Sequence, residues 1–151
     1  MLELALREAT EADLPGILGV YAQPELDDGR VLDLERARAQ FRRINEHPGY
    51  RVYVAERDGQ VLGTFALLIM QNISHLGAPA GVVDQVGVLP QFQGQGVGRQ
   101  MMEHARRLCE QAGCYKLTLS SNLKREAAHR FYEAIGFEKH GYSFKIDPAQ
   151  R

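Results

Sequence analysis

The stretch from Gly81 to Arg99, GVVDQVGVLPQFQGQGVGR, limits what this chain can fold into more than any other. Val82, Val83, Val86, Val88 and Leu89 are β-branched or large apolar residues in a short run, which predicts a strand with little solvated face. Pro90 has no N–H for a sheet ladder, so the strand is expected to stop there. Beyond it, Val97, Met101, Ala105, Leu108 and Ala112 recur at helical spacing and make one apolar stripe. The helix therefore opens at or just after Gly94, Gly96 and Gly98. Glycines there permit positive φ and bare backbone, and the first-turn N–H groups have no intrahelical partners, so this terminus is suited to a phosphate or pyrophosphate.

The glycine register decides which ligand. A dinucleotide fingerprint counted from Gly94 and Gly96 puts Arg99 where the third glycine belongs, and Gly98-Arg99-Gln100 is not the Gly-Lys-Ser/Thr ending of a nucleotide-triphosphate loop. What fits is Gln93-x-x-Gly96-x-Gly98 behind a V-x-V-x-P strand. That pattern resembles the acetyl-CoA loop of the GNAT N-acetyltransferase superfamily. The resemblance implies acetyl-CoA as cosubstrate, held by Gln93, Gly94, Gln95, Gly96, Val97, Gly98 and Arg99, with the main chain of Val86, Gly87 and Val88 pairing with the pantetheine arm.

A chain of 151 residues is most simply one domain, and residues 1–151 are expected to form it. A net charge of −1 offers no electrostatic footprint for nucleic acid, and no apolar run approaches membrane-spanning length; neither a nucleic-acid nor a membrane partner is expected. No basic region leads into an apolar core at the N-terminus, so no signal peptide is expected. Cys109 and Cys114, with no C-x-x-C spacing and no accompanying histidine cluster, read as reduced structural thiols of a cytoplasmic protein without a metal site.

Taken in order, Leu2 to Arg7 alternates as a first strand. Thr10 with Glu11 and Asp13 starts a helix that continues to Tyr21. Gln23 to Val31 reads as loop, Asp33 to Glu46 as a second helix, and Tyr50 to Glu56 and Val61 to Met70 as a hairpin about Asp58-Gly59. After the long helix, stopped by Gly113, Tyr115 to Ser121 is a strand, Ala128 to Ile135 a helix, and Phe137 to Ile146 a last strand. This order, β-α-α-β-β-β-α-β-α-β, is that of the GNAT fold. The resemblance implies an α/β architecture with a mixed, mostly antiparallel sheet of six to seven strands flanked by about four helices.

Asn122 to Phe137, NLKREAAHRFYEAIGF, is similar to a second GNAT segment. Carried over, Asn122 bonds the pantetheine arm, Ala128 and Phe131 line the cofactor, and Tyr132 lies near its sulfur. A phenol of ordinary pKa about 10 can protonate a leaving thiolate, which makes Tyr132 the acid. The oxyanion donor is expected to be a backbone N–H of the organising strand, at an irregularity for which Gly87 is the candidate. Strand alternation sets Asp84, Val86 and Val88 on one face, and a carboxylate among apolar residues is a candidate base through a pKa raised by burial. His75 is the alternative base, and Arg99, Lys124 and Arg125 are candidates for cofactor phosphates.

Gly113-Cys114-Tyr115-Lys116 with Phe131-Tyr132-Glu133 resembles glucosamine-6-phosphate N-acetyltransferases. Ser121-Asn122-Leu123-Lys124-Arg125 with Ala128-His129-Arg130 resembles aminoalkylphosphonate N-acetyltransferases. Both imply direct acetyl transfer to the primary amine of a small molecule, in a ternary complex, by a homodimer. The alternatives are a catalytically weak CoA-binding or regulatory module of this fold, and an acetyltransferase of protein or peptide amines.

Overall fold

Asp58 and Gly59 both take positive φ, 51° and 79°, and turn the chain back on itself in two residues. The strands they join, β2 (Tyr50–Arg57) and β3 (Gln60–Met70), are the middle of the sheet in the computed structural model, which describes residues 1–149. β1 (Ala5–Glu8) pairs antiparallel with β2, β4 (Ala80–Val88) antiparallel with β3, and β5 (Lys116–Leu119) parallel with β4. The five strands stand in the order β1-β2-β3-β4-β5. Residues Val61 to Leu67 of β3 are all buried, as a strand covered on both faces requires.

Two layers of helix provide the cover. α1 (Leu14–Tyr21) and α2 (Leu34–Asn45) close one face: Leu14, Ile17, Val20, Ala37 and Phe41 form a core with Val54 and Val61. α3 (Val97–Gln111) closes the other with Val97, Met101, Met102, Ala105 and Cys109 buried. Gly63 makes that approach possible, because a Cβ there would lie 2.9 Å from Met101 Sδ and 3.0 Å from Val97 Cγ1. α3 ends where Gly113, at φ 76°, lets its N–H reach Glu110 C=O (3.1 Å) and the Cys114 N–H reach Cys109 C=O (2.9 Å).

The chain divides into two compact units, Met1–Leu119 and a second beginning at Ser120. The second holds α4 (Glu126–Ala134), which Gly136, at φ 107°, terminates as Gly113 terminates α3: the Phe137 N–H donates to Tyr132 C=O at 3.0 Å. The strand expected from Phe137 to Ile146 is not formed, so the sheet has five strands rather than six or seven. Its alternation is real, but a strand exists only through a partner, and Tyr142, Phe144 and Ile146 are exposed instead.

The start of α1 is fixed by charge. Arg7 grips Asp13 through two bonds, 2.7 and 2.8 Å, and the same carboxylate accepts from the Thr10 N–H at 2.7 Å. The Arg7 bond, more than any other contact, holds the Asp13 carboxyl below its usual range. A depressed carboxylate contributes stability that is present above its unfolded pKa of about 3.9 and is lost as pH falls through the folded value. Asp13→Asn is therefore expected to cost about 1–3 kcal/mol at neutral pH. Denaturant melts at several pH values check this: the variant should unfold with a shallower acid dependence below pH ~4 than the parent.

Candidate active site

β4 and β5 pair only from Ala80↔Lys116 to Val83↔Leu119, while β4 runs on to Val88. Past Val83, among the described residues, no strand pairs with β4 on that side. Leu89 N–H donates to Leu62 C=O at 2.8 Å, so by alternation the backbone groups of Val88 turn away from β3, toward the unpaired side. Val86, Gly87 and Val88, the residues expected to meet pantetheine, line this half-open edge.

The same edge is irregular. Ala66 faces Asp84 and Thr64 faces Gly87, so Phe65 alone opposes two residues, Gln85 and Val86. This is a β-bulge, with Gln85 at φ 56°. The expected irregularity is present, but at Gln85 rather than Gly87. Gly87 serves close approach instead: a Cβ there would come within 2.8 Å of Val20 Cγ1 and 3.4 Å of Leu26 Cδ1. The bulge also changes which residues share a face. Asp84 and Gly87 point with Ala66 and Thr64 toward α1, whereas Val88 points with Gly63 toward α3. The simple alternation that grouped Asp84 with Val86 and Val88 does not hold.

Asp84 itself is exposed, not buried among apolar side chains, and its Oδ1 accepts from the Gln85 N–H at 2.8 Å. Its charge is felt nearby: after burial, Asp84 is a second cause that raises the Tyr50 phenol. The Tyr21 phenol is pushed well above its usual range, chiefly by burial, and remains a donor at neutral pH. It donates to the Gln85 carbonyl at 2.6 Å.

Past β4, Pro90–Phe92 make one tight turn, and Gly94 and Gly96 take φ of 78° and 88° before α3 begins at Val97. Gln100 N–H makes an early helical bond, to Gly96 C=O at 3.1 Å, so the preceding N–H groups of Val97, Gly98 and Arg99 lie in the first turn, where a helix leaves its donors free for an anion. A Cβ at Gly94 would meet nothing within 4 Å, which leaves that backbone open to a ligand. Gln95 folds back onto Gln91 C=O at 3.0 Å, and Arg99 is exposed.

One residue ties the bulged strand to this loop. Gln23, buried after the end of α1, donates through Nε2 to Val20 C=O (2.8 Å) and Val88 C=O (2.7 Å). Gln93 Nε2 also reaches Val88 C=O, at 3.2 Å, and Gln23 Oε1, at 3.4 Å. Neither Tyr21 nor Gln23 was legible as a site residue: Tyr21 reads as one more member of an apolar helix face and Gln23 as the first residue of a loop. A polar side chain just past a helix that has no polar face would be the only signal.

In the second unit, Tyr132 and Phe131 follow one another on α4, with ring centroids 5.2 Å apart, and Phe137 lies edge-on to Tyr132 at 5.8 Å. Burial raises the Tyr132 phenol above its usual pKa, against a smaller lowering by Arg125. Ala128 lies one turn before Tyr132 on the same helix, and Asn122, exposed, accepts from the Lys124 N–H at 2.9 Å through Oδ1. Lys124 and Arg125 are exposed. His75 stacks on Tyr115, centroids 3.9 Å apart, in the loop before β4. No group of three or more His, Cys, Asp or Glu side chains among the described residues is placed to hold a metal.

Residues 8–137 match the model of the Acetyltransferase (GNAT) family. Across 139 residues the chain is 30% identical to the aminoalkylphosphonate N-acetyltransferase of Salmonella typhimurium, covering 92% of this chain and 88% of that one. It is 25% identical over 151 residues to the glucosamine 6-phosphate N-acetyltransferase of Trypanosoma brucei brucei, covering 97% of each. Among solved structures, AAC(6')-Iy in complex with the bisubstrate analog CoA-S-monomethyl-acetylneamine shares the fold, with a TM-score of 0.79 at 18% identity over 99% of this chain and 100% of that one.

Proposed function

The chain belongs to the acetyltransferase (GNAT) family and is an N-acetyltransferase, and from that premise we propose that it moves the acetyl group of acetyl-CoA directly to the primary amine of a small molecule. The observation that carries this reading is the half-open edge of β4, bulged at Gln85 and followed at once by Gly94, Gly96 and the N-terminus of α3. The edge supplies backbone groups for an amide-bearing arm; the helix terminus supplies N–H donors for a pyrophosphate. Gln93, Gly94, Gln95, Gly96, Val97, Gly98 and Arg99 hold the phosphates. Val86 and Val88 pair with the arm, Gly87 admits α1 against the strand, and Asn122, Ala128 and Phe131 complete the cofactor contacts.

Transfer requires a neutral amine, a donor for the oxyanion and a proton for the leaving thiolate. In this reading Asp84, exposed beside the bulge, takes the proton of the amine directly or through water. The Val86 N–H stabilises the oxyanion, and the Tyr132 hydroxyl gives its proton to the sulfur as the carbon–sulfur bond breaks. A small acceptor is favoured because the Salmonella and trypanosome relatives are named for small amines. The exposed Tyr142, Phe144 and Ile146 favour a homodimer through the last segment, and the two free thiols favour a reducing compartment such as the cytoplasm.

Calorimetric titration with acetyl-CoA, followed by a thiol-release screen over small amines including aminosugar phosphates and aminophosphonates, tests the reading. Micromolar binding with one amine releasing CoA is the expected outcome. Binding without turnover on any small amine, with turnover on peptide amines instead, would transfer the assignment to the protein-directed alternative. No binding of acetyl-CoA would overturn the reading.

A further inference from the structure

The bulge on β4 contains a peptide group whose orientation the sheet does not fix. Gln85 sits at φ 56°, outside the extended region, and Phe65 on β3 opposes it and Val86 together, so regular ladder pairing is interrupted at this point. A non-glycine residue in the left-handed region is strained and persists only where surrounding contacts determine it. The structure shows two such contacts, one on each side of the residue. Ahead of it, the Asp84 carboxylate accepts from the Gln85 N–H at 2.8 Å; behind it, the Tyr21 hydroxyl donates to the Gln85 C=O at 2.6 Å.

The second contact matters for chemistry because the Gln85 carbonyl and the Val86 N–H belong to one peptide group. That group is planar and trans, so the two bonds point in opposite directions. Holding the oxygen on the α1 side fixes the N–H on the other. We infer that Tyr21 is a positioning residue: by gripping the Gln85 carbonyl it sets the plane of the Gln85–Val86 peptide and aims the Val86 N–H at the oxyanion of the acetyl-transfer step. This rests on the acetyltransferase reading given above and adds to it a residue outside the cofactor motifs, 64 positions from its partner.

The surroundings of Tyr21 fit the role. Its ring packs beside Gly87, where a Cβ would lie 3.6 Å from Tyr21 Cε1, so the phenol is wedged between the end of α1 and the strand and its hydroxyl has a defined reach. Two residues on, Gln23 fixes a second β4 carbonyl, that of Val88, at 2.7 Å. The last turn of α1 and the residues after it thus hold β4 carbonyls on both sides of Gly87. The first of these carbonyls shares its peptide with the Val86 N–H, so the bond that holds the oxygen leaves the N–H on the opposite side for a ligand.

Tyr21→Phe removes only the hydroxyl and keeps the ring that fills the space beside Gly87. Three measurements on the full chain are made together: kcat and acetyl-CoA Kd on whichever amine the parent accepts, the thermal midpoint, and the NMR signals of the Gln85 carbonyl carbon and Val86 amide nitrogen in ligand-free protein. The expected result is a kcat at least tenfold lower, short of the roughly 100- to 1000-fold cost of removing an oxyanion donor outright, with Kd within about twofold and the fold retained. In the NMR spectra both signals should move and broaden, with the change confined to Gln85–Gly87. Unchanged kcat in an active parent, or unmoved Gln85 and Val86 signals, would overturn the inference, as would a parallel loss of kcat, Kd and thermal midpoint. A parent that binds no acetyl-CoA would overturn the acetyltransferase reading, whereas the ligand-free spectra would still decide whether Tyr21 sets this peptide.

Discussion

Gly96→Val should weaken acetyl-CoA binding by more than 100-fold, which is about 2.7 kcal/mol or more. Two effects act in the same direction. Gly96 precedes α3 at φ 88°, where a β-branched residue is a genuine outlier, so the chain must either bear that strain or rebuild the turn that presents the first N–H groups of the helix. The added side chain would also press on Met1, whose Cγ would lie 3.3 Å from the new Cβ, and so displace the turn whose N–H groups face a pyrophosphate. Calorimetry against acetyl-CoA reads the loss, and a thermal melt shows whether the helix terminus survived. Gly96→Ala separates the effects, since it carries the strain with little bulk and should retain part of the affinity. Binding of the valine variant at parental strength would mean that the pyrophosphate does not sit at this turn.

The second large effect is expected at Tyr132. Tyr132→Phe should lower kcat by about 100-fold while acetyl-CoA affinity stays within a factor of two, because a general acid is removed and the ring contacts with Phe131 and Phe137 are kept. The pH profile adds a readout that a packing role would not give. The phenol acts as an acid only while protonated, and burial raises its pKa above the usual value of about 10. In the parent, the loss of rate attributable to this group should therefore lie above pH 10, and in the phenylalanine variant that limb should be absent. Affinity falling together with kcat would make Tyr132 a wall of the site rather than its acid.

The elements most legible in the sequence are those set by one or two residues with narrow conformational tastes. Asp58-Gly59 specified a hairpin, Pro90 the end of β4, the glycines Gly94, Gly96 and Gly98 the start of α3 and Gly113 its stop, and each element begins or ends about where it was expected. The order of elements is met through α4. What was not legible depends on partners far along the chain. The bulge was expected at Gly87, the residue best able to take positive φ, but it lies at Gln85, held from outside by Tyr21. Asp84 was expected to be buried because its neighbours are apolar, but it is exposed, since the helices that cover the middle of the sheet leave it uncovered. The strand expected after Phe137 failed for a related reason, since alternation is written in a segment whereas pairing needs another.

The bulge has a further consequence for how β4 is counted. Asp84 and Gly87 lie on one side of the sheet and Val88 on the other. If Gln85 is skipped, that is the phase an uninterrupted strand would give: Asp84, then Val86 opposite, Gly87 back and Val88 opposite again. Gln85 is therefore a supernumerary residue, and the reading frame of the sheet closes over it without disturbing either helical layer. The architecture would be as well served by a strand one residue shorter. That one amino acid is where the Tyr21 hydroxyl reaches the strand.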